Sequence, residues 1–294
     1  MSEPVRLDAD LLKAFPLPCL SEDGDKEDRG RVLIVGGSRE VPGAAILAGL
    51  AAMRAGAGKL HIATDESVAV PIAVAVPEAR VTRGSPVEHV ADAQAVVLGC
   101  GMEPGTDLDT LLVDLLGCGA ETPLVLDATA LGSLPDVAAQ VRAWRGGVTL
   151  LPHAREMARL LECEPEEVEI DPDGAVQRAA ERYNAVALVK GRYSLIAAPD
   201  GRLFRFRGGG IGLATSGSGD VLAGIAGGLA ARGADVLTAT LWAVWLHGEA
   251  GRSLTDEVGR VGFLARELID QVPALLFGAG NQPEQTAFGK DLRD

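Results

Sequence analysis

Asp220 closes the run Gly208-Gly-Gly-Ile-Gly-Leu-Ala-Thr-Ser-Gly-Ser-Gly-Asp220 and opens the apolar segment Val221-Leu-Ala-Gly224. Glycines let a backbone turn tightly and approach a ligand closely. The start of a helix adds unpaired N–H groups and the positive end of a dipole, a setting that suits phosphate. An aspartate at that point reads either as a helix cap or as a base facing whatever the glycines cradle. The run is far longer than the roughly 2–6 residues of an ordinary strand–helix connection.

Chemically capable residues also stand where other apolar runs end: Gly36-Gly37-Ser38, Gly99-Cys-Gly101, Asp127, His153 and Lys190. Ligands of open parallel sheets bind at the carboxyl ends of the strands, so one edge would carry glycines, two acids, a histidine and a lysine, a set suited to a phosphorylated ligand. Lys190 reads as a point charge for phosphate or as a solvated turn residue. His153 and Glu156 share a helix face after Pro152. They could hold substrate, or magnesium through water, or be a helix-start histidine and a solvated acid. His247, beside Trp242 and Trp245, reads as packed; His61 and His89 carry no pattern. Gly105 falls one place too late for a Gly-x-Gly-x-x-Gly fingerprint after Gly99, and no Gly-x-x-x-x-Gly-Lys-Ser/Thr loop occurs.

The elements that must position these groups follow from the alternation of apolar runs with helical patterns. Strands are predicted at 31–35, 59–63, 95–98, 123–126, 148–151 and 185–189. A hairpin over 195–197 and 203–206 turns at Pro199-Asp200-Gly201. Helices are predicted at 44–55, 108–116, 155–161, 220–232, 236–252 and 261–271. The expectation is a three-layer α/β/α protein with a mostly parallel sheet and a late antiparallel hairpin. It would form one domain over 8–278 with a polar tail over 279–294.

Composition narrows the partners. Hydrophobic residues make up 47% and aromatics 4%, so Ala, Val, Leu and Ile must build the core. A formal net charge of −14 argues against a nucleic acid or an anionic membrane surface as partner. Cys19, Cys100, Cys118 and Cys163 form no Cys-x-x-Cys pair and read as reduced thiols of a cytoplasmic protein. Met1–Ala14 lacks the apolar region of a signal peptide. The run 41–57 is too interrupted by Pro42, Arg54 and glycines to span a membrane.

Taken in order, Gly36-Gly-Ser38, Pro42-Gly-Ala-Ala45, Arg54-Ala-Gly-Ala-Gly58, Leu126-Asp-Ala128, Pro152-His153 with Glu156, Val189-Lys-Gly191 and Ala214-Thr-Ser-Gly-Ser-Gly-Asp220 resemble the ADP/ATP-dependent NAD(P)H-hydrate dehydratase family of the ribokinase-like fold. The resemblance implies a cofactor-repair lyase. ADP, or ATP, with Mg²⁺ would drive loss of water from (S)-NAD(P)H-hydrate, ADP giving AMP and phosphate. It implies Asp220 as base and hydrate contact, and Gly217, Ser218 and Gly219 as anion hole. Lys190, Gly191, Arg192, Tyr193 and Ser194 would form the nucleotide turn. Ala45, Gly101 and His153 would be further hydrate contacts, and Asp127 and Glu156 would assist magnesium or orientation. It also implies a homotetramer and an NAD(P)H-hydrate epimerase encoded elsewhere; the small-residue faces of 44–55 and 223–231 could serve subunit packing or the core. The chain departs from the family pattern at Ala154-Arg155, at Glu103 and at Gly210-Ile-Gly212. A small-molecule kinase of the same fold, acting on a vitamin precursor or sugar alcohol, is the alternative; a non-enzymatic nucleotide-binding module is the third.

Overall fold

The computed structural model describes residues 3–19 and 25–280. Ten strands form one sheet: β1 (Val5–Leu7), β2 (Arg31–Val35), β3 (Lys59–Ala63), β4 (Ala79–Thr82), β5 (Ala95–Leu98), β6 (Leu124–Leu126), β7 (Val148–Leu150), β8 (Val186–Val189), β9 (Ser194–Ala197) and β10 (Leu203–Phe206). Their order is β1-β10-β9-β8-β7-β6-β5-β2-β3-β4. The stretch from β8 to β4 is parallel throughout, β9 pairs antiparallel with both β8 and β10, and β1 joins β10 in parallel. The expected mixed sheet is therefore present, with β1 and β4 added at its two edges.

Side chains of a strand alternate between faces, and here both faces are dry. Val32 and Ile34 of β2 point into a core shared with helices 42–54, 218–231, 236–257 and 265–280. Leu33 and Val35 point into a second core. The latter, with a third cluster at the β8–β10 end, is covered by helices 106–117, 138–143, 154–161 and 172–183. This is the three-layer arrangement that continuous apolar strands require.

Helix 218–231 positions the glycine-rich loop. It lies over β5 and β6 and crosses helix 42–54 with almost no side chain between the two. A Cβ on Gly224 would stand 2.2 Å from the carbonyl oxygen of Ala48, and one on Gly228 2.4 Å from that of Ala52. The small-residue faces are thus consumed inside the subunit, and the reading of them as subunit contacts is corrected. The last helix takes in Ala279 and Gly280; the remainder of the expected tail lies outside the described residues. Among the described residues, no helix is long and apolar enough to cross a membrane.

Candidate active site

β5, β6, β7 and β8 end side by side, and their last residues meet under the start of helix 218–231. Asp127 follows β6. Its carboxylate is buried, with 3% of the side chain exposed, and accepts a hydrogen bond from Lys190 Nζ at 2.8 Å. Lys190 follows β8 and is anchored through its own N–H to the Pro152 carbonyl at 3.0 Å, which brings His153 alongside. Burial lowers the Lys190 pKa, but the contact with Asp127 more than offsets it, and the ammonium is held above its ordinary value. Ala128, directly after Asp127, has φ +49° and ψ −124°, a costly conformation for a residue with a Cβ. Backbone strain of that kind persists where surrounding packing over-determines it, as at this turn.

Asp220 lies in the first turn of helix 218–231 and is not its cap. Gly217 takes the cap position at φ +87° without a side-chain bond, and a Cβ there would strike Leu47 Cδ1 at 2.5 Å. Asp220 is free to face the cleft. Burial and the neighbouring Asp127 charge raise its pKa from 3.8 to about 6, against the lowering effects of a Cys100 thiol hydrogen bond and the Lys190 charge. The Cys100 sulfur and one carboxylate oxygen from each of Asp127 and Asp220 lie within 4.8 Å of one another. Burial, reinforced by those two carboxylates, holds the Cys100 thiol well above its ordinary range, so it stays protonated and can donate.

Of the expected anion-hole residues Gly217, Ser218 and Gly219, only Ser218 has its amide already engaged. The Ser218 N–H donates to Thr215 O at 3.2 Å, and its hydroxyl is 2.9 Å from His247 Nε2. Over residues 217–220 the amides of Gly217, Gly219 and Asp220 have no acceptor within the described protein. Gly219 stands directly over the ion pair, since a Cβ on it would be 3.5 Å from both Asp127 Oδ2 and Lys190 Nζ. His247, read from the sequence as packed, also meets Ser218 O at 3.0 Å and so ties the loop to helix 236–257. Burial lowers its pKa to about 4, so it is neutral at pH 7. No local pattern signals this role, because the contact exists only once two helices cross.

The remaining expected residues divide into two groups. Ala45 is fully buried near the start of helix 42–54, against Gly37. Gly101, at φ +65°, accepts from the Ser38 N–H at 2.8 Å and packs on Ala44 at the start of the same helix. Gly191, Arg192 and Tyr193 form an exposed bend before Ser194 opens β9. The Tyr193 ring carries the Arg192 guanidinium at 5.6 Å and that of Arg207 at 5.0 Å. His153 and Glu156 form a reciprocal helix cap: Glu156 Oε2 accepts from the His153 N–H at 2.8 Å, and His153 Nδ1 accepts from the Glu156 N–H at 3.3 Å. The cap accounts for the helix-start position of His153, but Glu156 is not the solvated acid of that reading, with 16% of its side chain exposed, and it stands outside the Cys100–Asp127–Asp220 cluster.

A parallel sheet covered on both faces, with an acid in a glycine-lined helix start at its carboxyl edge, defines a ribokinase-like protein. The same fold occurs in a ribokinase-like superfamily protein from Enterococcus faecalis, at a TM-score of 0.80 and 24% identity over 94% of this chain and 96% of that one. The chain belongs to the NAD(P)H-hydrate dehydratase family, whose model matches residues 32–274. It is 46% identical to the ADP-dependent (S)-NAD(P)H-hydrate dehydratase of Xanthomonas campestris, over 91% of this chain and 94% of that protein. It superposes at a TM-score of 0.80 and 30% identity on the ADP/ATP-dependent NAD(P)H-hydrate dehydratase of Bacillus subtilis co-crystallised with ATP and Mg²⁺, over 95% of this chain and 100% of that one.

Proposed function

We propose that this protein dehydrates (S)-NAD(P)H-hydrate to NAD(P)H at the expense of ADP. The observation that carries the reading is the half-buried Asp220, poised at a pKa of about 6 beside two unpaired helix-start amides and the Lys190–Asp127 pair; family membership gives it a substrate. Asp220 accepts the proton of the ring hydroxyl, and that oxygen attacks the β-phosphorus of ADP. The bond to the bridging oxygen breaks and AMP leaves. The C–O bond of the phosphorylated ring then breaks as the adjacent ring carbon gives its proton to the departing phosphate, restoring the double bond. Hydroxide is a poor leaving group and phosphate a good one. The Gly219 and Asp220 amides and the Lys190 charge stabilise the transferring phosphoryl group, and a base with a pKa near the working pH is the efficient choice.

The nucleotide occupies the turn of Lys190, Gly191, Arg192, Tyr193 and Ser194, and the hydrate lies along Ala45, Gly101, His153 and Asp220. Magnesium suits the buried carboxylate of Asp127, with Glu156 nearby through water. It neutralises phosphate charge when bound, whereas the protonated Cys100 thiol is no ligand for it. The reading expects a cytoplasmic homotetramer, in keeping with the free cysteines Cys19, Cys100, Cys118 and Cys163. Because water adds to either face of the ring, it also expects an epimerase encoded elsewhere.

The test mixes the protein with hydrated NADH, magnesium and ADP or ATP, and follows the return of reduced-nicotinamide absorbance. Recovery that requires nucleotide and yields AMP and phosphate from ADP supports the reading. Nucleotide binding without recovery transfers it to a small-molecule kinase of the same fold.

A further inference from the structure

A cavity of about 470 Å³ lies beside the catalytic cleft, and none of Asp127, Lys190 or Asp220 lines it. Its walls come from the carboxyl ends of β2, β3 and β4, which the catalytic groups leave unused, and of β5, which the two spaces share. They are Gly36–Ser38 after β2, Thr64 and Asp65 after β3, Gly84 and Pro86 after β4, and Met102–Gly105 after β5, with Leu108 and Leu111 as an apolar back. Two features connect it to the cleft. The Gly37 and Ser38 amides donate to the Cys100 and Gly101 carbonyls at 2.8 Å each, so one pair of loops forms the partition between the two spaces. That partition is also where the sheet reverses its order: β3 and β4 extend to one side of β2, and β5 lies on the other. Open α/β sheets bind ligands at such switch points, and a dinucleotide can straddle one with a nucleoside on each side. The volume falls within the roughly 300–1,000 Å³ of small-ligand pockets.

We propose that this cavity seats the adenosine half of the hydrated dinucleotide, whose nicotinamide half lies at Asp220; the proposal rests on the function argued above. Leu108, Leu111 and Met102 offer apolar surface to a base, and Thr64 and Asp65 offer hydrogen-bonding partners to ribose hydroxyls. The charged groups in the wall, Asp65, Glu103 and Asp107, are all acids. Of the neighbouring cations, Arg83 is engaged by Glu66 at 3.0 Å, and the Arg39 charge acts on Asp65. A ribose 2′-hydroxyl suits this lining and a 2′-phosphate does not, so the hydrate of NADH is the better substrate.

The experiment compares hydrated NADH with hydrated reduced nicotinamide mononucleotide, which lacks the adenosine half. For the unaltered protein, kcat/KM should be lower for the mononucleotide by on the order of 100-fold, because binding energy from a remote part of the substrate is lost. Leu111→Trp, which fills the cavity, should cost the dinucleotide about 10-fold or more and leave the mononucleotide and the KM for ADP unchanged. Equal losses on both substrates, or a loss confined to ADP, would overturn the proposal while leaving the dehydratase reading intact; no turnover of either substrate by the unaltered protein would instead overturn that reading. Glu103→Arg, an exposed loop change that does not depend on repacking, should raise the efficiency for hydrated NADPH relative to hydrated NADH by about 10-fold. An unchanged ratio would count against the pocket.

Discussion

Asp220 illustrates how a single residue can work against its own fold. Its folded-state pKa of about 6 lies above its value of 3.8 in an unfolded chain, so keeping it ionised at pH 7 costs stability. Asp220→Asn should therefore raise unfolding stability at pH 7 by on the order of 2 kcal/mol, leave ADP binding in place and abolish dehydration. Calorimetry alongside the turnover assay checks both arms, and retained turnover would remove Asp220 from its assigned role. Gly219 makes the converse case. An added methyl group meets only ordinary contacts with Asp127 and Lys190, and alanine favours a helix by up to about 1 kcal/mol over glycine. Gly219→Ala should thus be as stable as the parent or more so. By occupying the space above the ion pair it should raise the nucleotide KM by about 10-fold; an unchanged KM would show that phosphate does not sit there.

The elements carry the next level of constraint. Helix 218–231 can present Asp220 over β5 and β6 only because Gly224 and Gly228 let it approach helix 42–54 to backbone contact. Gly224→Ala would drive a methyl group into the Ala48 carbonyl and should cost on the order of 1–3 kcal/mol. Gly43→Ala, at a position facing open space, should be neutral or stabilising, and denaturant midpoints of the two variants test the contrast. Much at this scale was legible in sequence. The central strands read correctly because apolar runs buried on both faces leave a plain signal, and the β9–β10 hairpin read from Pro199-Asp200-Gly201. β1 and β4 did not, because edge strands of three and four residues that stay partly exposed have no such pattern. Helix 172–183 was missed although Asp171 caps it and Ala175, Val176, Ala179, Ala180 and Tyr183 recur at helical spacing, because three alanines make that face a weak hydrophobic signal. At the site, glycines, acids and Lys190 were readable from their strand-end positions. The His247–Ser218 tie and the Cys100–Asp220 contact were not, since both depend on elements far apart in the chain.

For the molecule as a whole, acidification pulls in two directions. Burial holds His61 and His247 neutral, each with its pKa lowered to about 4. The unfolded chain then takes up more protons than the fold as pH drops below about 6.5, and stability is lost down to about pH 4. Asp220 opposes this between about pH 6 and 3.8, because its protonation relieves a buried charge. Two losses against one gain predict a melting temperature that falls between pH 7 and 4.5. His61→Gln, which preserves a partner for the Thr82 hydroxyl now 2.8 Å from Nε2, should flatten that fall; an unaltered slope would exclude His61 as a source.

The parallel pairing of β1 with β10 has a consequence for synthesis. Arg6 is in register with Arg205, a separation of about 200 residues, and translation at roughly 5–20 residues per second makes that an interval of about 10–40 s. During that time Val5–Leu7 has no strand to join, so this early strand is the last of the ten that can take its place in the sheet. Its shortness and the charges of Arg6 and Asp8 suit that wait, since a brief, charged strand offers little to a neighbouring nascent chain.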